Sequence, residues 1–284
     1  MVLSSQLKQT LLKVKRKNFT VQNLASSYDK ISKDYSKNFN YQLTDCYLQL
    51  LNLLGGVNNK TVLDLGCGTG WFGKLLYTKY SPIFYHGIDI STGMIYEARK
   101  TLSENSNLKL EHGNFQAILE LMPDNSYDVV FLNWSLKFNN FRELFSKVLR
   151  ILKPDGKLAL LTETNNSEFE INDAISKLIA NNINQINLVL PKTFLPSDSH
   201  ELTKYFNETN FKQTIVWNKS QDYNFQSPIE VSSWARLTGL LAAWDQILDF
   251  QEPHLLEEFI SLIKPTIPGK FLITKKILGA IAKK

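Results

Sequence analysis

Two cysteines, Cys46 and Cys67, in a chain of 284 residues are too few for a disulfide framework, and a reducing cytoplasm is the expected home. No apolar run reaches the roughly 18 residues that a membrane-spanning helix needs, so no membrane span is expected. The opening residues lack the apolar core and small-residue cleavage site of a secretory signal. The four histidines, His86, His112, His200 and His254, stand apart from one another and from the cysteines, and no metal site is expected. Acidic residues are missing from the first twenty positions, where Lys8, Lys13, Lys15, Arg16 and Lys17 supply five of the 32 basic residues. The rest of the chain holds 27 residues of each sign, so its body is neutral and a nucleic-acid-binding face is not indicated. The basic tract reads as a solvated tail or helix face, with contact to an acidic partner as the alternative.

What is present is a soluble, globular composition with 43% hydrophobic residues, and a rhythm of short apolar runs alternating with helix-length segments. Leucines among lysines over 7–14 give a weak amphipathic helix signal, and a leucine-rich helix ends at Gly55-Gly56. Strands are then expected over 61–65, 83–90, 108–112, 127–133 and 157–162. Helices are expected over 71–80, 93–102 and 141–152. This alternation argues for a parallel sheet covered on both faces, with its ligand at the C-terminal edge of the strands. After Thr164 the rhythm breaks: helix over 169–182, loop over 188–199, helix over 200–211, strand over 212–217, helical residues 228–262 and a final strand over 271–282. The chain divides accordingly into an N-terminal helical cap segment (1–45), a Rossmann-like core (46–165) and a completing part (166–284) whose residues 188–262 form a lid.

Val62-Leu63-Asp64-Leu65-Gly66-Cys67-Gly68-Thr69-Gly70 runs an apolar strand into three alternate glycines and directly into a helix. Glycines let the chain turn sharply and let a ligand lie against main-chain atoms. A dinucleotide site asks for Gly-x-Gly-x-x-Gly, and Trp71 after Gly70 breaks that spacing. Asp64 would repel a pyrophosphate but suits an α-ammonium group. Asp89 closes the second strand 19 residues beyond Gly70, where an acid accepts hydrogen bonds from ribose hydroxyls. An ammonium site beside a ribose site describes S-adenosylmethionine better than NAD.

These two motifs resemble the class I S-adenosylmethionine-dependent methyltransferases over roughly residues 25–165. The resemblance implies a Rossmann-like α/β fold, with a seven-stranded, mostly parallel sheet between helices and a helical N-terminal segment and lid insert. It implies S-adenosylmethionine as cofactor, S-adenosylhomocysteine as product, and a cofactor site made of Tyr28, Asp64, Gly66, Cys67, Gly68, Gly70, Asp89, Ile90, Met94, Asn114, Phe115 and Asn133. Asn114 stands where family members commonly carry an acid for the adenine amino group, and its side-chain oxygen offers the same bond. Leu152-Lys153-Pro154-Asp155-Gly156 resembles the family's turn into the fifth strand, with Asp155 replacing a glycine, as an aspartate that visits αL can.

Asn133-Trp134-Ser135-Leu136-Lys137-Phe138 lacks the Asn-Pro-Pro-Tyr of many nucleic-acid amino-methyltransferases. It is similar to a segment of the trans-aconitate and malonyl-carrier-protein branch, whose members esterify carboxylates. A small-molecule acceptor follows, with O-methylation of a carboxylate first and hydroxyl, nitrogen or carbon acceptors behind it. An ionised carboxylate needs orientation and a cation rather than a base. Lys137 and Arg236 are the candidate cations, and His200 or His112 is the candidate base for an acceptor that must lose a proton. Tyr35, Tyr41, Trp134, Lys137, Phe138 and Trp234 are expected around the acceptor. An acyl group on an acidic carrier protein, a non-catalytic sensor and an NAD enzyme are the rival readings. A monomer or homodimer is expected.

Overall fold

The computed structural model describes residues 17–186, 188–189 and 192–284, and the side chains of Asn40 and Tyr41 lie outside that description. The helix signal over 7–14 and most of the basic tract therefore fall outside the described residues.

The five core strands β1 (Thr61–Leu65), β2 (Phe84–Asp89), β3 (Leu108–His112), β4 (Tyr127–Asn133) and β5 (Leu152–Glu163) are all parallel to one another. The last two, β6 (Lys212–Phe225) and β7 (Phe271–Lys283), form a long hairpin, and β7 lies antiparallel against β5. Seven strands result in the order β3-β2-β1-β4-β5-β7-β6, a mixed sheet that is mostly parallel, as expected. The order reverses between β1 and β4, which opens a crevice at the C-terminal ends of those two strands.

Ten α-helices accompany the sheet among the described residues. They are α1 (Val21–Tyr35), α2 (Thr44–Leu54), α3 (Trp71–Lys79), α4 (Thr92–Thr101) and α5 (Phe115–Leu121). The others are α6 (Phe141–Ile151), α7 (Phe169–Asn181), α8 (Ser199–Glu208), α9 (Pro228–Leu237) and α10 (Pro253–Leu262). Both faces of the sheet are apolar, because parallel strands are buried twice over. One face packs Leu63, Val130, Leu158 and Leu278 under α6 and α8 through Phe145 and Phe206. The other packs Val62, Phe131, Leu161 and Ile281 under α2 and α3 through Leu50 and Phe72. A third apolar cluster joins α7, α9 and α10 through Ile175, Val231 and Phe259 and takes in Ile273 of β7.

The core strands fall where periodicity places them, and the differences lie elsewhere. The sixth strand runs on to Phe225, because β7 offers it a partner throughout. The helical stretch 228–262 is broken: Gly239 and Ala243 both take φ of 76°, and Pro253 restarts the chain as α10. Helix α5 was not expected; it is seven residues long and rests on the cap of Asn114. Asp155 adopts φ of 62°, as anticipated for an aspartate in the place of a glycine. Among the described residues no helix is long and apolar enough to cross a membrane.

Candidate functional site

The crevice is a cavity of about 470 Å³, in the range of small-ligand pockets. One half is built by the glycine turn. Gly66 takes φ of 79°, and a Cβ there would lie 1.9 Å from Ser135 Oγ, so only glycine lets β1 turn beneath the loop after β4. The Gly66 and Cys67 N–H groups donate to Ile88 O at 2.8 and 3.0 Å, and Gly68 N–H donates to Asp89 Oδ2 at 2.9 Å. Gly68, at φ of 55°, has nothing within 4 Å of its absent Cβ, so the turn presents bare backbone to the cavity. Gly70 does different work. It caps α3 and packs on Ala98 of α4, and the structure does not place it on the cavity wall.

Both predicted acids line the cavity and are almost fully buried. Asp64 receives the Tyr85 hydroxyl at 2.6 Å, yet burial pushes its carboxyl up to about 7. Asp89 accepts from Ser91 N–H and Gly68 N–H, each at 2.9 Å, which partly offsets the burial that raises it to about 6. A carboxyl raised by burial is stabilised in its charged form by an incoming cation or donor.

Asn133 supplies an independent indication of a ligand. It is 6% exposed, lines the cavity, and among the described residues neither its Nδ2 nor its Oδ1 has a hydrogen-bond partner. An unmet buried polar group costs on the order of 1–3 kcal/mol. A ligand with donors and acceptors at one end removes that cost. Two buried carboxyls, bare glycine backbone and an orphaned amide together fit the amino-acid and ribose parts of S-adenosylmethionine. Cys67, Ile90, Met94 and Phe115 complete this half, and Tyr28 closes it from α1. Asn114 lines the cavity too, although its Oδ1 already accepts from Gln116 N–H at 3.0 Å as the cap of α5, leaving one lone pair for a ligand.

Helix α1 is fastened over the cavity from two sides. Asp29 Oδ1 accepts from Ser91 Oγ at 2.6 Å, Gly93 N–H at 2.8 Å and Thr92 Oγ1 at 3.3 Å, tying α1 to the start of α4. Asp245, in the insert, takes Lys30 at 2.8 Å and Ser27 through its other oxygen.

The other half of the cavity is aromatic. Tyr28 meets Tyr35 edge-on at 6.0 Å, Tyr35 stacks on Phe39 at 5.1 Å, and Phe39 meets Trp134 edge-on at 5.6 Å. Burial raises the Tyr28 and Tyr35 phenols, so both stay neutral hydroxyls. Trp134 sits at φ of 60°, uncommon for a bulky side chain, and its indole donates to Tyr47 Oη at 2.9 Å. Trp234 packs on Tyr223 at 4.7 Å, and Phe138 lies beside Lys137. Of the residues expected around the acceptor, Tyr35, Trp134, Lys137, Phe138 and Trp234 all line the cavity. The side chain of Tyr41 lies outside the described residues.

Two further expectations need correction. Arg236 is exposed and lines a separate hollow beside Lys30 and Asp245, because it falls on the outer face of α9 while Trp234 faces inward. His200 is exposed in the first turn of α8, on the side of the sheet opposite α2 and α3, and is absent from the cavity wall. Neither is placed to touch a ligand there.

Around Lys137 the cavity contains three charges not expected from the sequence, Glu163, Glu168 and Lys275. Lys275, 3% exposed, reaches Glu168 Oε1 at 2.5 Å and Glu163 Oε2 at 3.0 Å, and Lys137 stands 3.4 Å from Glu163 Oε1. Burial opposes charging Lys275, but Glu168 and Glu163 outweigh it and raise its ammonium. Burial likewise opposes the Glu163 carboxylate, and Lys275 with Lys137 more than offsets it, so Glu163 stays ionised. Glu168, the more deeply buried, is raised by that burial. The available sign was Lys275 itself: Ile273, Lys275 and Ile277 alternate along one face of a strand, so a lysine occupies a core position.

A family model described as a methyltransferase domain matches residues 57–212, more than half of the 284-residue chain. The chain is 24% identical over 242 residues to a trans-aconitate 2-methyltransferase of Escherichia coli O1:K1 / APEC, covering 84% of this chain and 91% of that one. It is 32% identical over 128 residues to a malonyl-[acyl-carrier protein] O-methyltransferase of Buchnera aphidicola subsp. Baizongia pistaciae, spanning 44% of this chain and about half (48%) of that relative. Among solved structures it is similar to the YcgJ protein of Bacillus subtilis, with a TM-score of 0.56 and 18% identity, covering 86% of this chain and 98% of that one. That last likeness concerns the fold alone.

Proposed function

The chain belongs to this methyltransferase-domain family and is an S-adenosylmethionine-dependent methyltransferase, and on that premise we propose that it O-methylates a carboxylate of a small-molecule acceptor. The observation that carries the proposal is Lys137, an ammonium on the cavity wall that, among the described residues, is held by a single ion pair at 3.4 Å amid aromatic rings. The two relatives bear names that denote carboxylate acceptors, which supports the same reading.

S-adenosylmethionine, when bound, supplies an electrophilic methyl group. Asp64 takes its ammonium, Asp89 its ribose hydroxyls, and Asn133 its polar amino-acid end. Asn114, Ile90, Met94 and Phe115 form the adenine side. Tyr28, Tyr35, Phe39 and Trp134 exclude water and confine the acceptor, and Lys137 orients its carboxylate. Alignment and desolvation then carry the rate, since the nucleophile is already ionised. A second reading, a hydroxyl or amine acceptor, is favoured by one observation: Glu168, with a carboxyl raised by burial, is a candidate base on the cavity wall.

The test is methyl transfer from isotopically labelled S-adenosylmethionine to a panel of small carboxylic acids, alcohols and amines. The expected product is an ester whose label is released by mild alkali. Alkali-stable products alone would overturn the carboxylate reading in favour of the second. An acyl group on a carrier protein belongs in the same panel, with and without residues 1–16.

A further inference from the structure

Four charges meet at the acceptor end of the cavity in one chain of contacts. Glu168 touches Lys275 at 2.5 Å, Lys275 touches Glu163 at 3.0 Å through Oε2, and Glu163 holds Lys137 at 3.4 Å through Oε1. The inner three are fixed by backbone. Glu163 ends β5, and the following residues stay paired to β7 through Thr164 N–H to Lys276 O at 3.1 Å and Glu168 N–H to Thr274 O at 2.9 Å. Glu168 is held at φ of 45°, a left-handed conformation rare for glutamate, and only 1% exposed. The Lys275 ammonium also lies over the rings of Phe39 and Trp134, at 5.4 and 5.2 Å.

Lys275 alone is enough to hold either glutamate, so two buried carboxylates leave one negative charge in excess, and Lys137 balances it. Lys137 is the outermost member, 20% exposed, with the longest contact of the chain. Glu163 is thus shared between two lysines, one buried and close, the other on the cavity and farther. If Glu163 lets go of Lys137, it keeps Lys275. We propose, resting on the carboxylate reading above, that Glu163 occupies on Lys137 the place of the acceptor's carboxylate, and that the acceptor displaces it onto Lys275. Lys275 is then a positioning residue that receives the displaced glutamate, and Glu163 determines specificity, because only an anion can compete with it for Lys137.

This arrangement has an unusual consequence: removing a cavity carboxylate should tighten binding. Buried charges left without their opposite are costly, so a neutral Gln at 163 makes an incoming carboxylate the sole partner of Lys137. The experiment is calorimetric titration of the protein saturated with S-adenosylhomocysteine, using trans-aconitate, malonate and benzoate as probes. Wild type should bind at least one of them. Glu163→Gln should bind it ~10-fold tighter or better, Glu168→Gln should tighten it by less, since Lys275 then draws Glu163 away, and Lys137→Met should lose it. Binding of S-adenosylhomocysteine by each variant reports that the fold is intact. If wild type binds a probe and neither glutamine variant binds it more tightly, displacement is wrong while the carboxylate reading stands. If no probe binds to wild type or Glu163→Gln although S-adenosylhomocysteine does, the carboxylate reading falls and this proposal falls with it.

Discussion

The burial of Asp64 makes cofactor affinity and protein stability respond to pH in opposite directions. Its carboxyl is raised from 3.8 to about 7 in the free protein, chiefly by burial and against the hydrogen bond from Tyr85. A bound ammonium favours the ionised form, so affinity should be nearly full above pH ~8 and fall as the group takes up its proton. At pH 5, two units below that value, the ionised fraction is ~1%, which costs ~2.7 kcal/mol or ~100-fold in affinity. Asp89, raised to about 6 by burial, should add up to ~10-fold at the same pH if its ionised form is the one that ribose hydroxyls prefer. The free protein should behave the other way. A carboxyl whose folded value is raised binds more protons folded than unfolded, so stability is greatest below 3.8 and declines as pH rises through about 7. For Asp64 the decline is on the order of 4 kcal/mol. Asp64→Asn removes the charge and should therefore raise the melting temperature at pH 8 while weakening S-adenosylhomocysteine binding and flattening its pH profile. Calorimetric titration and thermal melts from pH 5 to 8 measure both quantities. An S-adenosylhomocysteine affinity that changes less than ~3-fold over that range would refute the assignment of Asp64 to the ammonium.

Other substitutions probe the remaining parts. Gly66→Ala should cost more than ~3 kcal/mol in a denaturant melt, and Ser135→Gly in the same chain should recover part of it, since the contact at 1.9 Å disappears while the φ penalty stays. A loss under ~1 kcal/mol for Gly66→Ala would mean the turn has room that the structure denies. Asp29→Ala removes the acceptor of three hydrogen bonds between α1 and α4. It should lower stability by ~1–3 kcal/mol and shorten the residence time of S-adenosylhomocysteine, read by stopped-flow release; an unchanged release rate would remove α1 as the closing element. His200→Ala and Arg236→Ala, both off the cavity, should leave methyl transfer within about twofold of wild type, as distant surface changes do.

The legible part of this protein is the part in which local pattern and local geometry coincide. A parallel strand buried on both faces is a short apolar run, and β1, β3 and β4 begin and end where those runs do. The glycine turn is legible for a similar reason: positive φ at Gly66, Gly68 and Gly70 is a property of single residues. Asp64 and Asp89 follow from their places at strand ends, since in a parallel sheet every strand delivers its C-terminus to the same edge. The stretch 228–262 is not one helix, although its composition is helical, because Ala243, a good helix former, takes φ of 76° where it is buried and its N–H donates to Ser27 Oγ at 3.2 Å.

The charged and aromatic half of the cavity was decided by tertiary structure. Glu163, Glu168 and Lys275 are separated by up to 112 residues and meet only because β7 runs antiparallel beside β5 and the segment after β5 continues that pairing. Arg236 and His200 were drawn toward the site by residue type alone, and a helix face and the far side of a sheet keep them from it. Sequence by itself determined the core strands, the glycine turn and the two acids that line the cavity, because each rests on residues adjacent along the chain. Which charges meet in the cavity was left to the fold, because a buried ion pair is defined by who stands opposite, and only the assembled sheet determines that.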